Sequence, residues 1–548
     1  MIIAKKFQYN MSNFIFLKGF FLKNISSLAL IILVSLWIVL FDNIAFFKQL
    51  TAVYPISVEY APFLLSQIFV LTLIFMLIFV LLGYKYTLKP ILIFMLLLTS
   101  VQNYFMVTYN ILVDKNMIEN IIQTDSSEVL DLVNITLVLY FIFLGLLPSW
   151  FVYRVSITYG SFKQLIWSKI KTVITILLLI WLMLFSFSKH YTSFFREHKV
   201  VRSYINPLDG FFCFATYLNE HFGNLNVPLE TIGADAKQAK KSKRNILIFV
   251  VGEATRADHF ALNGYSKQTN PLMSKEDIFN FSNVSSCGTT TAVSVPCMFS
   301  FYKKSSYNSS RGKHSENLLD ILNRAGVEVL WRDNNSDSKG VAVRLDYTSY
   351  KSKEHNSVCD IECRDEGMLK GLEEKIKATN KDMIIVLHQM GNHGPAYYKR
   401  YPKEFEKFKP ACHNNQLEHC TQEEIANAYD NALLYSDYFL SKVVALLKKE
   451  EDNTTQTAML YVADHGESLG EGGLYLHGLP YFIAPDAQTK VPMVMWFSKN
   501  YEIDRDKFKK IEKKELSHDN IFSTLLGMFN VKTKVYNRED DIFKMGDL

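Results

Sequence analysis

The chain has 548 residues, of which 49% are hydrophobic, and its formal net charge is only +5 at pH 7. This length exceeds one ordinary domain and allows two or three. Because the charge is small and no basic face alternates with aromatic residues, we exclude a nucleic-acid binder and expect no nucleic acid as a partner.

Five apolar segments near the N-terminus are long enough to cross a bilayer, which takes about 20 residues each. They cover roughly residues 27–46, 63–82, 90–107, 132–153 and 173–187. Buried helices of a soluble protein are the alternative. Five apolar runs separated by short polar loops are instead typical of a membrane domain, here residues 1–187.

The positions of lysine and arginine predict the orientation of these spans. Basic residues concentrate before the first span and in every second loop after it: Lys5, Lys6, Lys18, Lys23, Lys85, Lys89, Arg154, Lys163, Lys169 and Lys171. The remaining loops, on the other side of the membrane, hold only Lys48 and Lys115, and residues 114–131 also carry several acidic side chains. We therefore expect a cytoplasmic N-terminus and, since five spans are odd, an external location for everything after residue 187.

Six of the 7 cysteines form three close pairs in the C-terminal part, namely Cys287/Cys297, Cys359/Cys363 and Cys412/Cys420. Close, even pairs in an exported domain predict local disulfides. A zinc knuckle is the weaker alternative, because no pair has the two-residue spacing with a matching second pair. Cys213 lies in an apolar stretch and is predicted to be a small buried side chain.

The C-terminal domain is predicted to begin at residue 245. Residues 188–230 mix aromatic and polar side chains, as in interfacial helices on a membrane or an ordinary packed linker, and 234–244 are charged. We therefore treat 188–244 as an interfacial bridging segment and linker, and 245–548 as one folded domain.

Continuous apolar runs alternate with helical patterns in this domain. The runs cover residues 245–251, 327–331, 383–387, 459–462 and 491–497, and the helical patterns cover 316–324, 366–378 and 423–449. Runs of this kind are typical of strands buried on both faces. The pattern predicts a mostly parallel α/β sheet with helices on both sides.

Polar residues follow three of these runs. Glu253 follows the first, His393 lies shortly after the third, and Asp464 and His465 follow the fourth. Ligands bind at the carboxyl ends of strands in open α/β sheets. Glu253, Asp464 and His465 form an oxygen and nitrogen set suited to Zn²⁺ or Mn²⁺.

A segment rich in hydroxyl side chains lies between Cys287 and Cys297 and just before it. A threonine hydroxyl is a poor nucleophile in water, but coordination to a dication lowers its pKa and activates it. The alternative is a turn held by a disulfide with no chemical role. Composition does not choose among the candidates, which are Ser285, Ser286, Thr289, Thr290, Thr291 and Ser294.

Several motifs together resemble one family over essentially the whole chain. They are Val-Gly-Glu-Ala-Thr-Arg at 251–256, the 287–300 segment, Trp-Arg-Asp-Asn-Asn-Ser-Asp-Ser-Lys-Gly at 331–340, Gly-Asn-His-Gly-Pro at 391–395 and the Asp464-His465 segment through Gly478. The chain resembles the phosphoethanolamine transferases of Gram-negative bacteria of the EptA/MCR type, in the alkaline phosphatase/sulfatase superfamily. The resemblance implies a five-helix transmembrane domain followed by an α/β, sulfatase-like periplasmic domain.

The resemblance also assigns roles by position. The nucleophile then corresponds to Thr291, and a zinc site to Glu253, Thr291, Asp464 and His465. His393 and His477 match positions that hold the donor head group or a second, weaker zinc, and either could transfer a proton; the alternative is that they only order the rim. Residues that match the lining of the phosphoethanolamine site are Thr289, Asn335, Lys339 and Glu467.

The implied reaction moves phosphoethanolamine from phosphatidylethanolamine to lipid A, or to another glycan acceptor, through an ester on the threonine. We expect a monomer in the bacterial inner membrane. The Cys359/Cys363 pair departs from other members.

A sulfatase is disfavoured because the segment lacks the arginine of its Cys/Ser-x-Pro-x-Arg motif. A phosphoglycerol transferase and a non-catalytic transporter or sensor remain as alternatives, although the spans carry few polar groups for transport.

Overall fold

The computed structural model describes residues 24–124, 126–159, 161–222 and 227–545. Lys5, Lys6, Lys18 and Lys23, which contribute to the predicted orientation, lie outside the described residues. The chain divides into two compact units. The first holds the described residues up to Val113 together with Val133–Cys213, and the second holds Asp114–Leu132 and the described residues from Phe214 onward.

The N-terminal part is helical. Four of its helices are long and apolar enough to cross a membrane, and a pair bent by 58° makes a fifth span if it is counted as one. In chain order the helices are α1 (Ser27–Phe41), α2 (Ile44–Val53), α3 (Ala61–Leu82), α4 (Leu88–Thr108), α5 (Lys115–Gln123), α6 (Ser126–Leu132), α7 (Ile135–Arg154), α8 (Phe162–Ser186), α9 (Ser188–Glu197), α10 (Lys199–Arg202) and α11 (Leu208–Phe222). The bent pair is α1 and α2.

Polar side chains explain the break between α1 and α2. Asn43 donates from its side-chain amide to the Ile38 carbonyl at 3.0 Å, which satisfies a carbonyl at the end of α1. The Asn206 side chain donates to the Asp42 carbonyl at 2.8 Å. The described residues therefore support four of the five predicted spans directly, and the first predicted span corresponds to the bent pair.

The second unit contains an eight-stranded sheet. Its strands are β1 (Arg244–Gly252), β2 (Ile278–Ser285), β3 (Glu328–Asp333), β4 (Asp346–Ser349), β5 (Met383–His388), β6 (Thr455–Ala463), β7 (Lys490–Phe497) and β8 (Leu516–Ser517). Their order across the sheet is β8-β2-β7-β6-β1-β5-β3-β4, and only the pairings of β7 with β2 and β6 are antiparallel. The predicted mostly parallel sheet is therefore confirmed.

Both faces of this sheet are buried. On β1, Leu247, Phe249 and Val251 enter one hydrophobic core, whereas the alternate residues Ile246, Ile248 and Val250 enter another. Successive side chains of a strand point to opposite faces, so a run without polar positions requires cover on both sides. Besides α5 and α6, the described part of this unit contains the helices α12 (Thr291–Met298), α13 (Ser309–Lys313), α14 (Leu318–Arg324), α15 (Leu372–Lys377), α16 (Gln422–Glu450), α17 (Asp486–Thr489), α18 (Arg505–Ile511) and α19 (Asp519–Met528).

Candidate active site

Four neighbouring parallel strands end at one edge of the sheet. The strands β6, β1, β5 and β3 are adjacent in this order, so the residues that follow them meet at their common carboxyl edge. Glu253 follows β1, Asp464 and His465 follow β6, and Asn335 follows β3. The topology thus brings together side chains that are up to 212 positions apart, counting from 253 to 465.

Glu253, Asp464 and His465 form a compact, fully buried cluster. One ligand atom from each lies within 4.8 Å of the others. His465 Nε2 is 3.3 Å from both Glu253 Oε1 and Asp464 Oδ2. The predicted metal set is therefore assembled in space.

The donor atoms of this cluster fit a divalent metal ion. Among the described residues, Glu253 Oε1 and Asp464 Oδ2 find no hydrogen-bond partner, and their burial is costly unless a cation satisfies them. His465 Nδ1 lies 2.8 Å from the Gly466 carbonyl, and donation of its hydrogen leaves the Nε2 lone pair facing the carboxylates. Two carboxylate oxygens and one imidazole nitrogen are ligands that Zn²⁺ accepts.

Electrostatics also indicate a site built for positive charge. Burial and the neighbouring Glu253 carboxylate raise the pKa of Asp464 to about 6. Burial disfavours the charged form of His465, but Asp464 and Glu253 outweigh it and raise the pKa of His465 to about 10. Burial opposes ionisation of Glu253 as well, yet the His465 hydrogen bond and the nearby histidine charges lower its pKa.

Thr291 contacts this cluster directly and is the first residue of α12. Its hydroxyl donates to Glu253 Oε2 at 3.1 Å and lies 3.3 Å from His465 Nε2. The neighbouring threonines are oriented differently. Thr289 donates to the Leu479 carbonyl at 2.7 Å. The Thr290 hydroxyl, at the position before the helix, is buried and has no hydrogen-bond partner within the described part of the chain. Among these three, Thr291 is the one whose hydroxyl contacts Glu253 and His465.

A second set of possible ligands adjoins the first at His465. His465, Glu467 and His477 place one ligand atom each within 4.8 Å of the others. Glu467 accepts from His477 Nδ1 at 2.7 Å and from the Tyr397 hydroxyl at 2.8 Å. The ring centroid of His477 lies 4.3 Å from that of His465 and 5.6 Å from that of His393.

Asn335 and Lys339 follow β3 but have different surroundings. The Asn335 amide donates to Glu253 Oε2 and to the Gln389 carbonyl, both at 2.7 Å. It therefore orients the carboxylate that also contacts Thr291. The Lys339 ammonium group bonds the carbonyls of Ser336 at 3.1 Å and Gln123 at 3.3 Å.

The glycine at 391 permits a close backbone approach to Glu253. A Cβ placed on Gly391 would lie 2.9 Å from the Glu253 carbonyl oxygen and 3.0 Å from its nitrogen and Cβ, and φ at this position is +51°. A side chain here would be both strained and in collision with Glu253, a predicted metal ligand.

Comparison with known proteins agrees with this architecture. The Sulfatase family model matches residues 245–531, and the model of "Phosphoethanolamine transferase EptA/EptB" matches residues 71–222. Phosphatidylethanolamine transferase Mcr-1 of Escherichia coli is 43% identical over 524 residues, which are 93% of this chain and 96% of that protein. This chain belongs to the phosphoethanolamine transferases of the EptA/MCR type.

Other relatives support the assignment. Phosphoethanolamine transferase EptA of Escherichia coli K12 is 38% identical over 95% of this chain and 97% of its own length. The structure of the integral membrane protein lipooligosaccharide phosphoethanolamine transferase A of Neisseria meningitidis superposes with a TM-score of 0.91 at 35% identity, covering 96% of this chain and 99% of that chain. The transferase is therefore an enzyme with a membrane part and a sulfatase-like domain.

Some residues that surround the site are not indicated by any motif in the sequence. His518 Nε2 lies 2.9 Å from the Ala463 carbonyl, and its Nδ1 accepts from the Cys287 backbone at 3.1 Å. It thereby joins the end of β6 to the start of the segment that carries Thr291. Ser294, one of the candidate nucleophiles, donates instead to the Asp464 carbonyl. A search for polar residues at every strand end would have found the buried pair His388 and Asp333, which are 2.9 Å apart.

The segment between α4 and α7 is a further part of the site's surroundings that the sequence does not indicate, because its charges suggest only the orientation of the spans. Asp114–Leu132 packs within the second unit of the transferase. Asp131 forms ion pairs with Lys399 and, at 2.8 Å, with Arg400. These contacts anchor α6 on the domain that carries the site.

The structure contains the three disulfides that the cysteine spacing predicts, Cys287–Cys297, Cys359–Cys363 and Cys412–Cys420. The first encloses Thr291. Cys213, expected to be buried, is half-buried.

Proposed function

We propose that this enzyme transfers phosphoethanolamine from phosphatidylethanolamine to lipid A through a phosphoethanolamine ester on Thr291. The observation that carries the proposal is the contact of the Thr291 hydroxyl with Glu253 and His465 in a buried set of metal ligands. The relatives' names, phosphatidylethanolamine transferase and phosphoethanolamine transferase, support the donor. A further relative, Kdo(2)-lipid A phosphoethanolamine 7''-transferase of Escherichia coli K12, supports a lipid A acceptor.

We infer that Glu253, Thr291, Asp464 and His465 hold one zinc ion, and that His393 and His477 hold the donor head group or a second, weaker zinc. A bound Zn²⁺ supplies positive charge that lowers the pKa of a coordinated hydroxyl and offsets negative charge at phosphorus. The two unpartnered carboxylate oxygens at Glu253 and Asp464 support this assignment.

In the first step, the Thr291 hydroxyl gives up its proton along its hydrogen bond to Glu253. Its oxygen attacks the phosphorus of phosphatidylethanolamine, and the bond from phosphorus to the glycerol oxygen breaks. The hydrogen bond to Glu253, itself fixed by Asn335, directs the Thr291 oxygen. Diacylglycerol leaves after its oxygen takes a proton, and we assign its delivery to the imidazole of His393 or His477, which lie beside each other near His465. Thr289, Lys339 and Glu467 are assigned to binding of the head group.

In the second step, an acceptor oxygen attacks the same phosphorus and the Thr291 oxygen leaves. The acceptor receives an amine-bearing group in place of free negative charge. Where the acceptor is a lipid A phosphate, this modification weakens the attraction of cationic peptides such as polymyxins to the membrane surface.

We place the catalytic domain in the periplasm and the N-terminus in the cytoplasm, with the spans in the inner membrane. The distribution of lysine and arginine supports this orientation. Three disulfides fit an oxidising compartment. In this arrangement, the site acts on lipids at the periplasmic surface.

The proposal is tested by donor cleavage with purified protein in detergent and fluorescent phosphatidylethanolamine. Thr291→Ala should abolish release of labelled diacylglycerol, because no other hydroxyl replaces the nucleophile. Thr290→Ala is the matched control. Its hydroxyl has no partner, so we expect near-normal release.

Release by Thr291→Ala at the wild-type rate would contradict the assignment of the nucleophile. Cleavage of phosphatidylglycerol in place of phosphatidylethanolamine would contradict the donor. A zinc chelator should stop release, and added Zn²⁺ should restore it; full activity in excess chelator would refute the metal assignment.

A further inference from the structure

A cavity of ≈ 180 Å³ lies beside the helix that carries Thr291. Ala292 and Pro296 of α12 line it, together with Glu119 of α5 and the side chains of Lys313 and Arg344. Thr291, the metal set, His393 and His477 do not line it. The cavity is thus next to the nucleophile, and of the residues assigned to the donor head group only Lys339 lines it. Its volume corresponds to about six water molecules at ~30 Å³ each.

Helix α5 closes one side of this cavity. At one end of the helix, Met117 Cε is so close to Gly478 that a Cβ on that glycine would lie 2.6 Å away. At the other end, the Gln123 carbonyl accepts from Lys339 at 3.3 Å. The helix therefore contacts two segments that carry predicted site residues, His477 and Lys339.

Glu119 leaves one polar atom unsatisfied in this wall. The residue is 1% exposed, and its Oε1 accepts from Lys313 Nζ at 2.7 Å and from Gln123 Nε2 at 3.3 Å. Its Oε2 is buried with no hydrogen-bond partner among the described residues. An unpaired carboxylate oxygen is costly to bury, so a ligand that donates a hydrogen bond would be stabilised here.

The cations of the cavity favour a ligand that is also anionic. The side chains of Lys313 and Arg344 keep 37% and 33% of their area exposed, so a ligand from solvent can reach them. Lys339 lines the cavity too, and its ammonium group donates to the carbonyl oxygens of Gln123 and Ser336. Lys313 pairs with Glu119 and Arg344 pairs with Asp320, and both remain partly exposed. A molecule with both hydroxyl donors and a phosphate matches the combination of the free Glu119 oxygen with Lys339 and these two exposed cations.

We propose that this cavity binds the phosphorylated sugar head of the acceptor, with a sugar hydroxyl donating to Glu119 and the phosphate facing the cations. The identification as an acceptor subsite rests on the proposed function, because a transferase needs a second binding site near the nucleophile. The segment between α4 and α7 then supplies a specificity residue to the reaction.

The test separates the two half-reactions of the full-length protein in detergent. One assay measures diacylglycerol release in a single turnover without acceptor, and the other measures transfer at varied lipid A concentration. Glu119→Gln should raise the KM for lipid A about tenfold, through loss of one charge-assisted hydrogen bond, while donor cleavage stays within about twofold. Val343→Trp should give the same split by filling the cavity from a lining position that is 67% exposed.

Asp131→Asn is the matched control, because Asp131 anchors the same segment through Arg400 but does not line the cavity. It should leave the KM for lipid A unchanged. Equal losses in both half-reactions for Glu119→Gln and Val343→Trp, or an unchanged KM in both, would overturn the proposal.

Calorimetric titration with glucosamine 1-phosphate, and separately with inorganic phosphate, tests the cavity without the reaction. Wild type should bind the sugar phosphate at least tenfold more tightly than phosphate, and Glu119→Gln should lose this preference. Absence of the preference in wild type overturns the subsite. If the wild-type protein binds the sugar phosphate more tightly but does not cleave phosphatidylethanolamine, the proposed function is overturned, and the cavity is a sugar-phosphate site with another role.

Discussion

Gly391→Ala is expected to damage the site through the backbone of Glu253. The new Cβ would lie 2.9–3.0 Å from three Glu253 atoms, among them its backbone nitrogen and oxygen, which cannot rotate away. Restoring an ordinary contact of about 3.5 Å requires a shift of about 0.5 Å. The left-handed backbone adds roughly 1–2 kcal/mol of strain for alanine, and overpacking adds about 1–3 kcal/mol.

The activity should fall more than stability alone explains. A misplacement of about 1 Å can cost about 100-fold in rate, so a shift of half that size should slow donor cleavage about tenfold. The assay compares initial rates of diacylglycerol release and thermal unfolding midpoints for wild type and variant. Bound zinc, measured by elemental analysis, should fall with the rate.

Gly472→Ala is the matched control for backbone strain. Its φ is +60°, similar to that of Gly391, but a Cβ there meets nothing within 4 Å. We expect a modest loss of stability of about 1 kcal/mol and wild-type activity. If Gly391→Ala behaves like Gly472→Ala in rate and zinc content, the close approach to Glu253 has no functional consequence and the reasoning fails.

Two further outcomes follow from the contacts around Thr291. Replacing both Cys287 and Cys297 with Ser should lower the free energy of unfolding by about 3 kcal/mol and remove most donor cleavage. The same replacement of Cys412 and Cys420, whose sequence separation is 8 against 10, should lower the free energy of unfolding by about as much but leave the cleavage rate intact. Equal cleavage rates in the two double variants would contradict a role of the first disulfide in positioning Thr291. Burial lowers the pKa of His518 from 6.5 to about 3, so this histidine stays neutral in the folded state while it takes up a proton in the unfolded state. Its contribution to the free energy of unfolding is therefore fully present above pH 6.5 and is lost as the pH falls toward 3. Unfolding midpoints measured between pH 7 and 4 should therefore fall less steeply for His518→Gln than for wild type, and parallel curves would refute this effect.

The sequence alone determines the layers of this protein and brings out the polar residues proposed as its metal ligands. Apolar runs such as 245–251 have no polar position, so they must be strands covered on both faces. Polar residues directly after such runs, Glu253 and Asp464 among them, meet because parallel neighbouring strands share one carboxyl edge. Spans of about 20 apolar residues and close cysteine pairs are equally local signals.

Tertiary structure decides what depends on contacts between distant segments. Local composition leaves Thr289, Thr290 and Thr291 equivalent, and only the approach of α12 to Glu253 and His465 distinguishes them. His518 reaches Cys287 across 231 positions, and the acidic segment 114–131 gives no sign in its own residues that it packs beside α12. Periodicity and spacing describe neighbours along the chain, whereas these contacts are set by how the packed elements fit together.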